Sequence, residues 1–387
     1  MLCGLPRCPI LERIRAQPRI LSSERVEGET PPSVLVGDRG YPKVWVGPTI
    51  SLTSLDLPED PSKWINRPLS YLVSRFSSQI YARFKLDVRR AEDPKLEEIK
   101  WAIMSEMPVE MEARLRSRPQ PKIVFDGLLA PIGPSAPADR IKLVGEPKIP
   151  TSLEKIAYDK DLRASEAVIE LYRQRVDVYT ISKSFSLGSF GTRGRRRIVP
   201  TRWAITAVDS LVGDWLHHKI VLMPIYGDKV LLYTSSYEGN RYFVIIAPGP
   251  YFLEIVEAWL PRGLWTPSTS SVYISVNREH ARRGLEYMDG GHYAMRLAVL
   301  ERLYEMKRQA SVLAIREIGP EYYSPVGVWQ VREGMRKALR STPLRFEEMN
   351  QALKYISREL RFDLDPTLRS LEILKHLNRW VSLEGYL

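Results

Sequence analysis

From Ser33 onward the chain alternates short apolar runs with turn-forming residues. Ser33-Val34-Leu35-Val36-Gly37 and Tyr41-Pro42-Lys43-Val44-Trp45-Val46-Gly47-Pro48 are rich in β-branched and aromatic side chains. They are separated by Asp38-Arg39-Gly40, which predicts a β-hairpin. Helical periodicity follows at Leu69, Leu72, Val73, Phe76 and Ile80, and again at Leu96, Ile99 and Ile103. Between Arg118 and Pro150 proline and glycine dominate around one apolar run, Ile123-Val124-Phe125. So long an irregular crossing in a compact domain points to function or to disorder. A helix is predicted from Ser152 to about Val176, then a loop from Ser182 to Pro200 rich in Ser, Gly and Arg. In the next helix Ile205, Val208, Leu211, Val212 and Trp215 share a face, while Asp209, Asp214, His217 and His218 lie off it.

Three strands are predicted to meander after that helix: Ile220 to Tyr226, Val230 to Tyr233 and Tyr242 to Ala247, with turns at Gly227-Asp228 and Glu238-Gly239-Asn240. A strand near Val272 to Val276, a helix from Tyr293 to Lys307, a strand at Val312 to Ile315 and mainly helix from Val331 to Arg379 complete the pattern. The fold class is therefore α+β, a mixed or antiparallel sheet with flanking helices and a mainly helical C-terminal region. No internal repeat is visible.

Composition sharpens this picture modestly. With 387 residues, 44% hydrophobic and 27% charged, the chain can build two or three domains with real cores. Residues 1–40 are basic, proline-rich and weakly periodic, an arm with limited structure of its own. The most apolar stretch, Tyr242 to Leu260, is interrupted by Pro248, Pro250, Glu254 and Glu257, so no membrane span is expected. The first residues lack the basic start and apolar core of a secretory signal, and a cytoplasmic protein is expected. Two cysteines cannot staple a chain of this size, and twenty-nine prolines would suit heat adaptation. The net charge of +11 fits a polyanionic partner as well as an ordinary basic enzyme.

Candidate chemistry concentrates in two places. The loop Ser186 to Arg197, closed by Thr201-Arg202-Trp203, offers Ser189, Thr192, Arg193, Arg195, Arg196, Arg197 and Arg202 as donors to DNA or phosphate. Its glycines allow close approach of a phosphate, and Thr201 is placed to cap the following helix. A solvated basic loop and a nucleotide pocket are the alternatives, although the glycine spacing matches neither the Walker loop nor the dinucleotide fingerprint. Second, Asp214 stands at i, i+3 and i+4 from His217 and His218, a spacing that suits a metal or simply a polar helix face. A metal-dependent nuclease would gather Asp126, Asp209 and Asp214 around a divalent cation. Tyr287 to Tyr293 reads equally as a pocket lip or as a helix entry capped by Asp289 or Gly290. There is no Gly-x-Ser-x-Gly elbow, and Cys3 and Cys8 lie in the arm away from any obvious base.

The end of the chain is unusually apolar. Leu383, Tyr386 and Leu387 share one side of a single helical turn, a pattern that resembles the peptide by which replication and repair proteins bind the sliding clamp (PCNA). Trp380 stands where that motif has Gln, so polar contacts are lost and the hydrophobic plug is kept. Longer segments extend the likeness. Cys3-Gly4-Leu5-Pro6-Arg7-Cys8-Pro9, Gly40-Tyr41-Pro42-Lys43-Val44 with Val46-Gly47-Pro48, Ile198 to Asp209, Tyr293 to Glu301 and Pro325 to Glu333 resemble the archaeal Nre family of DNA-repair proteins. With the basic arm placed at 1–32, the resemblance implies a larger N-terminal α+β domain at 33–266, a smaller C-terminal domain at 267–372 and a clamp-binding tail at 373–387. Some members begin with a fuller cysteine cluster resembling a zinc finger. This chain keeps Cys3 and Cys8, two of the four ligands that a structural zinc needs. The resulting expectation is an accessory DNA-damage repair factor that binds DNA through basic loops, is recruited by the clamp and works with other repair proteins. A metal-dependent nuclease and a nucleotide-binding or nucleotide-modifying enzyme are the competing readings.

Overall fold

The computed structural model describes residues 8–18, 24–31, 33–54, 60–121, 123–263, 266, 270–281, 284–285, 288–368 and 370–384, with the backbone alone at 284–285 and 381–384. The chain forms two compact units, an N-terminal one of Pro9–Val212 with Pro325–Gly327, and a C-terminal one of Gly213–Ser324 and Val328–Leu387 with Met1–Cys8. The fold is α+β, as the pattern predicts.

The N-terminal unit contains α1 (Pro9–Ala16), β1 (Arg25–Thr30), β2 (Val34–Val36), β3 (Lys43–Ile50), α2 (Leu69–Ser77), β4 (Ile80–Asp87), α3 (Pro94–Met104), β5 (Val109–Leu115), β6 (Ser135–Leu143), α4 (Thr151–Tyr158), α5 (Ala164–Arg173) and α6 (Val178–Ser186). Its sheet runs β1-β5-β6-β4-β3-β2, with β4 and β6 parallel and the other neighbours antiparallel. The predicted hairpin is present as β2 and β3, with Val34 opposite Pro48 and Val36 opposite Val46. Gly47 is required there, because a Cβ would lie 1.8 Å from the Ala82 carbonyl oxygen on the neighbouring strand. In β5, buried Val109, Met111, Ala113 and Leu115 alternate with outward Glu110, Glu112 and Arg114, the period of a half-buried strand. Helix α3 lays Leu96, Ile99 and Ile103 into the same core. Its start is set by Pro94 and by Asp93, whose carboxylate accepts the Lys95 amide at 3.0 Å.

Several boundaries differ from the sequence expectation, each for a local reason. The helix expected from Ser152 to Val176 is two helices, because the Asp159 carboxylate accepts the amides of Asp161 and Leu162 at 2.8 and 3.1 Å and turns the chain. The first residues of the expected loop are helical: Asp177 caps α6, and Ser182 satisfies itself by donating to the Val178 carbonyl at 2.6 Å. Residues 25–30, expected in the arm, pair with β5, burying Val26 and Thr30. Ile80 starts β4 rather than ending a helix.

Helix α7 (Thr201–Ile220) contains residues of both units. It reaches into the segment expected to be the strand Ile220 to Tyr226, where isolated bridges replace a strand. The C-terminal unit continues with β7 (Val230–Tyr237), β8 (Asn240–Ala247), β9 (Phe252–Trp259), β10 (Tyr273–His280), β11 (Gly284–Leu285), α8 (Gly290–Met306), β12 (Ser311–Ile318), α9 (Trp329–Leu339), β13 (Leu344–Phe346), α10 (Met349–Glu359), α11 (Asp365–Leu368) and α12 (Glu372–Glu384). The sheet order is β11-β10-β9-β12-β8-β7-β13, with β9 and β12 parallel. One face is apolar: Phe252, Val256, Leu313 and Ile315 pack with Leu353 and Ile356 of α10 and with Ile373 of α12. The opposite face carries charge, because side chains alternate along a strand and Glu257 and Arg316 point away from that apolar core. On the apolar side Glu254, fully buried, accepts the first amides of α12 from Glu372 and Ile373 at 3.1 and 3.0 Å and takes Arg278 Nε at 2.7 Å. No helix among the described residues is long and apolar enough to cross a membrane.

Candidate functional site

The Gly/Arg loop between α6 and α7 is held in shape by its own residues. Gly188 has φ +66°, and a Cβ there would meet the Arg197 carbonyl oxygen at 2.5 Å. Arg196 is buried and spends its guanidinium inside the fold, with Nε on the Gly191 carbonyl at 2.9 Å, Nη1 on Ala157 at 2.8 Å and Nη2 on Asp159 at 2.6 Å. The residues expected to meet DNA thus divide by role. Arg193 and Arg195 are exposed, and among the described residues their side chains have no hydrogen bond or ion pair. Arg197 is exposed too, although its Nη1 donates to Gly194 and Arg196 carbonyls at 3.0 and 2.8 Å. Arg202 faces Asp38 at 3.4 Å and Asp126 at 3.7 Å. Thr192 is half-buried, Ser189 is buried, and the Thr201 hydroxyl accepts the Val36 amide at 2.8 Å, which fastens the loop to the hairpin.

Replacing Arg196 with Ala leaves three carbonyls without their donor and is expected to cost on the order of 3 kcal/mol, read as a lower urea midpoint. Lys does not restore it, because an ammonium lacks the planar fork.

Beside the loop lies a pocket of about 320 Å³. Trp101 of α3 and Tyr158 of α4 form one wall, their rings 5.8 Å apart and inclined at 56°. Lys100 donates to the Ala91 carbonyl at 2.5 Å, and burial, helped by nearby Arg196, pushes its amine down to about 8. A second depression of about 240 Å³, lined by Arg89, Arg90, Gly194 and Arg197, shares Glu92, Asp93, Pro94 and Arg196 with the first.

The aspartates proposed for metal chemistry have protein partners. Asp126 accepts the Leu128 and Leu129 amides at 2.8 and 3.1 Å and faces Arg202, while Asp209 is buried. The Asp214 carboxylate takes Arg296 Nη2 at 2.9 Å. Arg296 also forks onto Glu279 with Nε at 2.8 Å and Nη2 at 2.7 Å, and the Tyr251 hydroxyl donates to Glu279 at 2.7 Å. Burial pushes Glu279 up, but these bonds outweigh it and hold the carboxylate below its ordinary value. His217, 3.9 Å from Glu279, is pushed down chiefly by burial. The guanidinium of Arg296 therefore sits where a cation between Asp214 and Glu279 would.

Among the described residues, Glu257, Asp289 and His292 bring ligand atoms within 4.8 Å of one another. Here too the positive charge is supplied by protein: His292 Nδ1 is 2.9 Å from Asp289 and 3.8 Å from Glu257, whose other oxygen accepts Arg316 Nη1 at 2.6 Å. Asp289 also accepts the His292 amide at 3.0 Å and is the N-cap of α8, the helix-entry alternative for this segment. Sequence reasoning missed Glu257, Glu279, Arg296 and Arg316. Their signal was charge set inside otherwise apolar strand and helix segments.

Burial pushes the His292 imidazole down, but the bond to Asp289 and the field of Glu257 outweigh it and raise it above 6.5. The folded state thus holds this proton more tightly than the unfolded chain. Its stability contribution is complete below about pH 6.5 and is lost as pH rises through the folded pKa. Urea midpoints are expected to fall over that range, and His292→Gln to flatten the fall.

Residues 2–266 match the family described as Archaeal Nre, N-terminal, and residues 277–386 the one described as Archaeal Nre, C-terminal. The chain belongs to the archaeal Nre family. Two Nre proteins of Archaeoglobus fulgidus are similar to it: DNA repair protein NreA, 41% identical over 93% of this chain and 92% of its own, and DNA repair protein NreB, 33% identical over 97% and 95%. DNA repair protein NreA of Haloferax volcanii is 31% identical over 89% of this chain and 85% of its own. Among solved structures, an Entamoeba histolytica asparaginyl-tRNA synthetase in complex with asparaginyl-adenylate matches with 11% identity over 74% of this chain and 57% of its own, and its TM-score of 0.18 carries no argument. The Nre matches split near residue 270, whereas the compact units split between Val212 and Gly213.

Of the Nre cysteine pair, Cys8 is half-buried and Cys3 lies outside the described residues. In the tail, Trp380 is half-buried on α12 and Leu383 has helical backbone, while Tyr386, Leu387 and the Leu383 side chain lie outside the described residues.

Proposed function

We propose that this chain is a DNA-repair factor that binds DNA through the exposed arginines of its Gly/Arg loop and is brought to its sites by the sliding clamp (PCNA), which takes up Trp380, Leu383, Tyr386 and Leu387. The observation that carries the reading is the division within the loop. Arg196 is spent on structure, while Arg193 and Arg195 are presented to solvent without partners among the described residues. Such arginines suit phosphates, which accept bidentate bonds and release counterions on binding. The net charge of +11 supports a polyanion, and the relatives named DNA repair proteins supply the context.

The test is fluorescence anisotropy of labelled single-stranded and duplex DNA over a salt series, with and without the clamp. Binding is expected to weaken steeply with salt and to tighten when clamp is loaded on the duplex. Absence of DNA binding at low salt would remove the reading.

A further inference from the structure

The pocket beside the Gly/Arg loop has a wall, a rim and an unused polar atom, and the loop's phosphate chemistry accounts for none of them. Its wall is aromatic. Tyr158 is 60% exposed, a large ring left in solvent, and it leans against Trp101 at 5.8 Å, too close for anything to slide between them. A flat ligand would therefore stack on the outer face of this L-shaped pair. The rim carries both charges: Glu92, Glu97 and Glu154 line the cavity beside Lys100, Lys160 and Arg196, and among the described residues the three carboxylates have no hydrogen bond or close ion pair, so they stay open as acceptors. Such carboxylates accept from amino groups. On the loop side, Ser189 is 2% exposed, and its hydroxyl, buried on the cavity lining, has no hydrogen-bond partner among the described residues.

A flat, uncharged heterocycle with exocyclic amino groups satisfies all three at once. We infer that this pocket receives a single nucleobase of DNA, turned out of its strand, stacked on Tyr158 and Trp101 with its amino edge toward the carboxylates. The volume of about 320 Å³ holds a base with its sugar. The neighbouring depression, which shares walls with the pocket, places Arg197 where a flanking phosphate would lie, while its Arg89 and Arg90 are paired with Asp87 and Asp93 at 2.8 and 2.7 Å. Reading a base by stacking plus contacts to its edge is how extruded nucleotides are recognised in general. The phosphate half of the inference rests on the DNA-binding reading above. The base half does not.

Uncharged deoxynucleosides separate the two. Calorimetric titration of the full chain with deoxyadenosine, deoxycytidine, deoxyguanosine and thymidine is expected to give Kd values on the order of 1 mM or tighter for the first three. Thymidine, which lacks an exocyclic amino group, binds weakest, and inorganic phosphate does not compete. Tyr158→Ala removes an exposed ring, so the fold is retained, as circular dichroism would verify, and nucleoside affinity falls at least about fivefold. Failure of any deoxynucleoside to bind, undiminished binding by Tyr158→Ala, or thymidine binding as tightly as the others overturns the inference. None of these outcomes depends on whether DNA itself binds. Conversely, loss of DNA binding with nucleoside binding intact removes the phosphate reading and leaves the pocket.

Discussion

Removing Trp380 to Leu387 is expected to abolish co-elution with the sliding clamp while shifting the melting temperature by no more than about 2 °C. Hydrophobic plugs of this kind concentrate binding energy in a few aromatic and aliphatic side chains, so losing all of them at once leaves nothing to recruit with. The stability half follows from where α12 is anchored. Glu254 holds its first amides, Leu371 and Ile373 are buried, and the His376 ring stacks on Phe252 with centroids 4.8 Å apart and planes within 17°. All of these precede the cut. Analytical size exclusion with purified clamp and a thermal melt of the truncated chain decide the matter. A truncated chain that still co-elutes sinks the recruitment reading, and a melting temperature lowered by about 10 °C or more would mean that the tail is core.

The triple replacement of Arg193, Arg195 and Arg197 by Ala is expected to weaken DNA binding on the order of a hundredfold, three phosphate contacts at about 1 kcal/mol each. The slope of log affinity against log salt should fall by about one per arginine. Arg196 is left in place deliberately. Its three bonds to carbonyls make its removal a folding defect, which would mimic lost binding without testing it. A triple variant with unchanged salt slope takes the loop out of the interface.

What could be read from the sequence followed a physical dividing line. The hairpin of β2 and β3, helix α8 and strand β12 declare themselves by local rules, namely turn residues, periodicity and β-branched content. Strand β9 did not, because Glu254 and Glu257 look like solvent-facing breaks in an apolar run. Both are buried, one satisfied by the start of α12 and Arg278, the other by Arg316. The candidate site divides the same way. The loop's location follows from composition, yet nothing distinguishes Arg196 from Arg193 or Arg195 in sequence, since its partners Ala157 and Asp159 lie almost forty residues away. Asp214 and His217 lie one helical turn apart on α7, a spacing that suits a metal face. Their common neighbour Arg296, 82 positions from Asp214, is what turns a possible metal face into an ionic network.

Arg196 has one more consequence. By lashing the end of α4 to the middle of the Gly/Arg loop, it settles the shape of the loop before any ligand arrives, so little chain entropy remains to be lost on contact. Arg193 and Arg195 are then exposed side chains on a stiff mount. Under the proposed DNA-binding role, such an arrangement would favour brief, repeated encounters with many phosphate positions along a strand, and a search that ends only where the proposed base pocket is engaged.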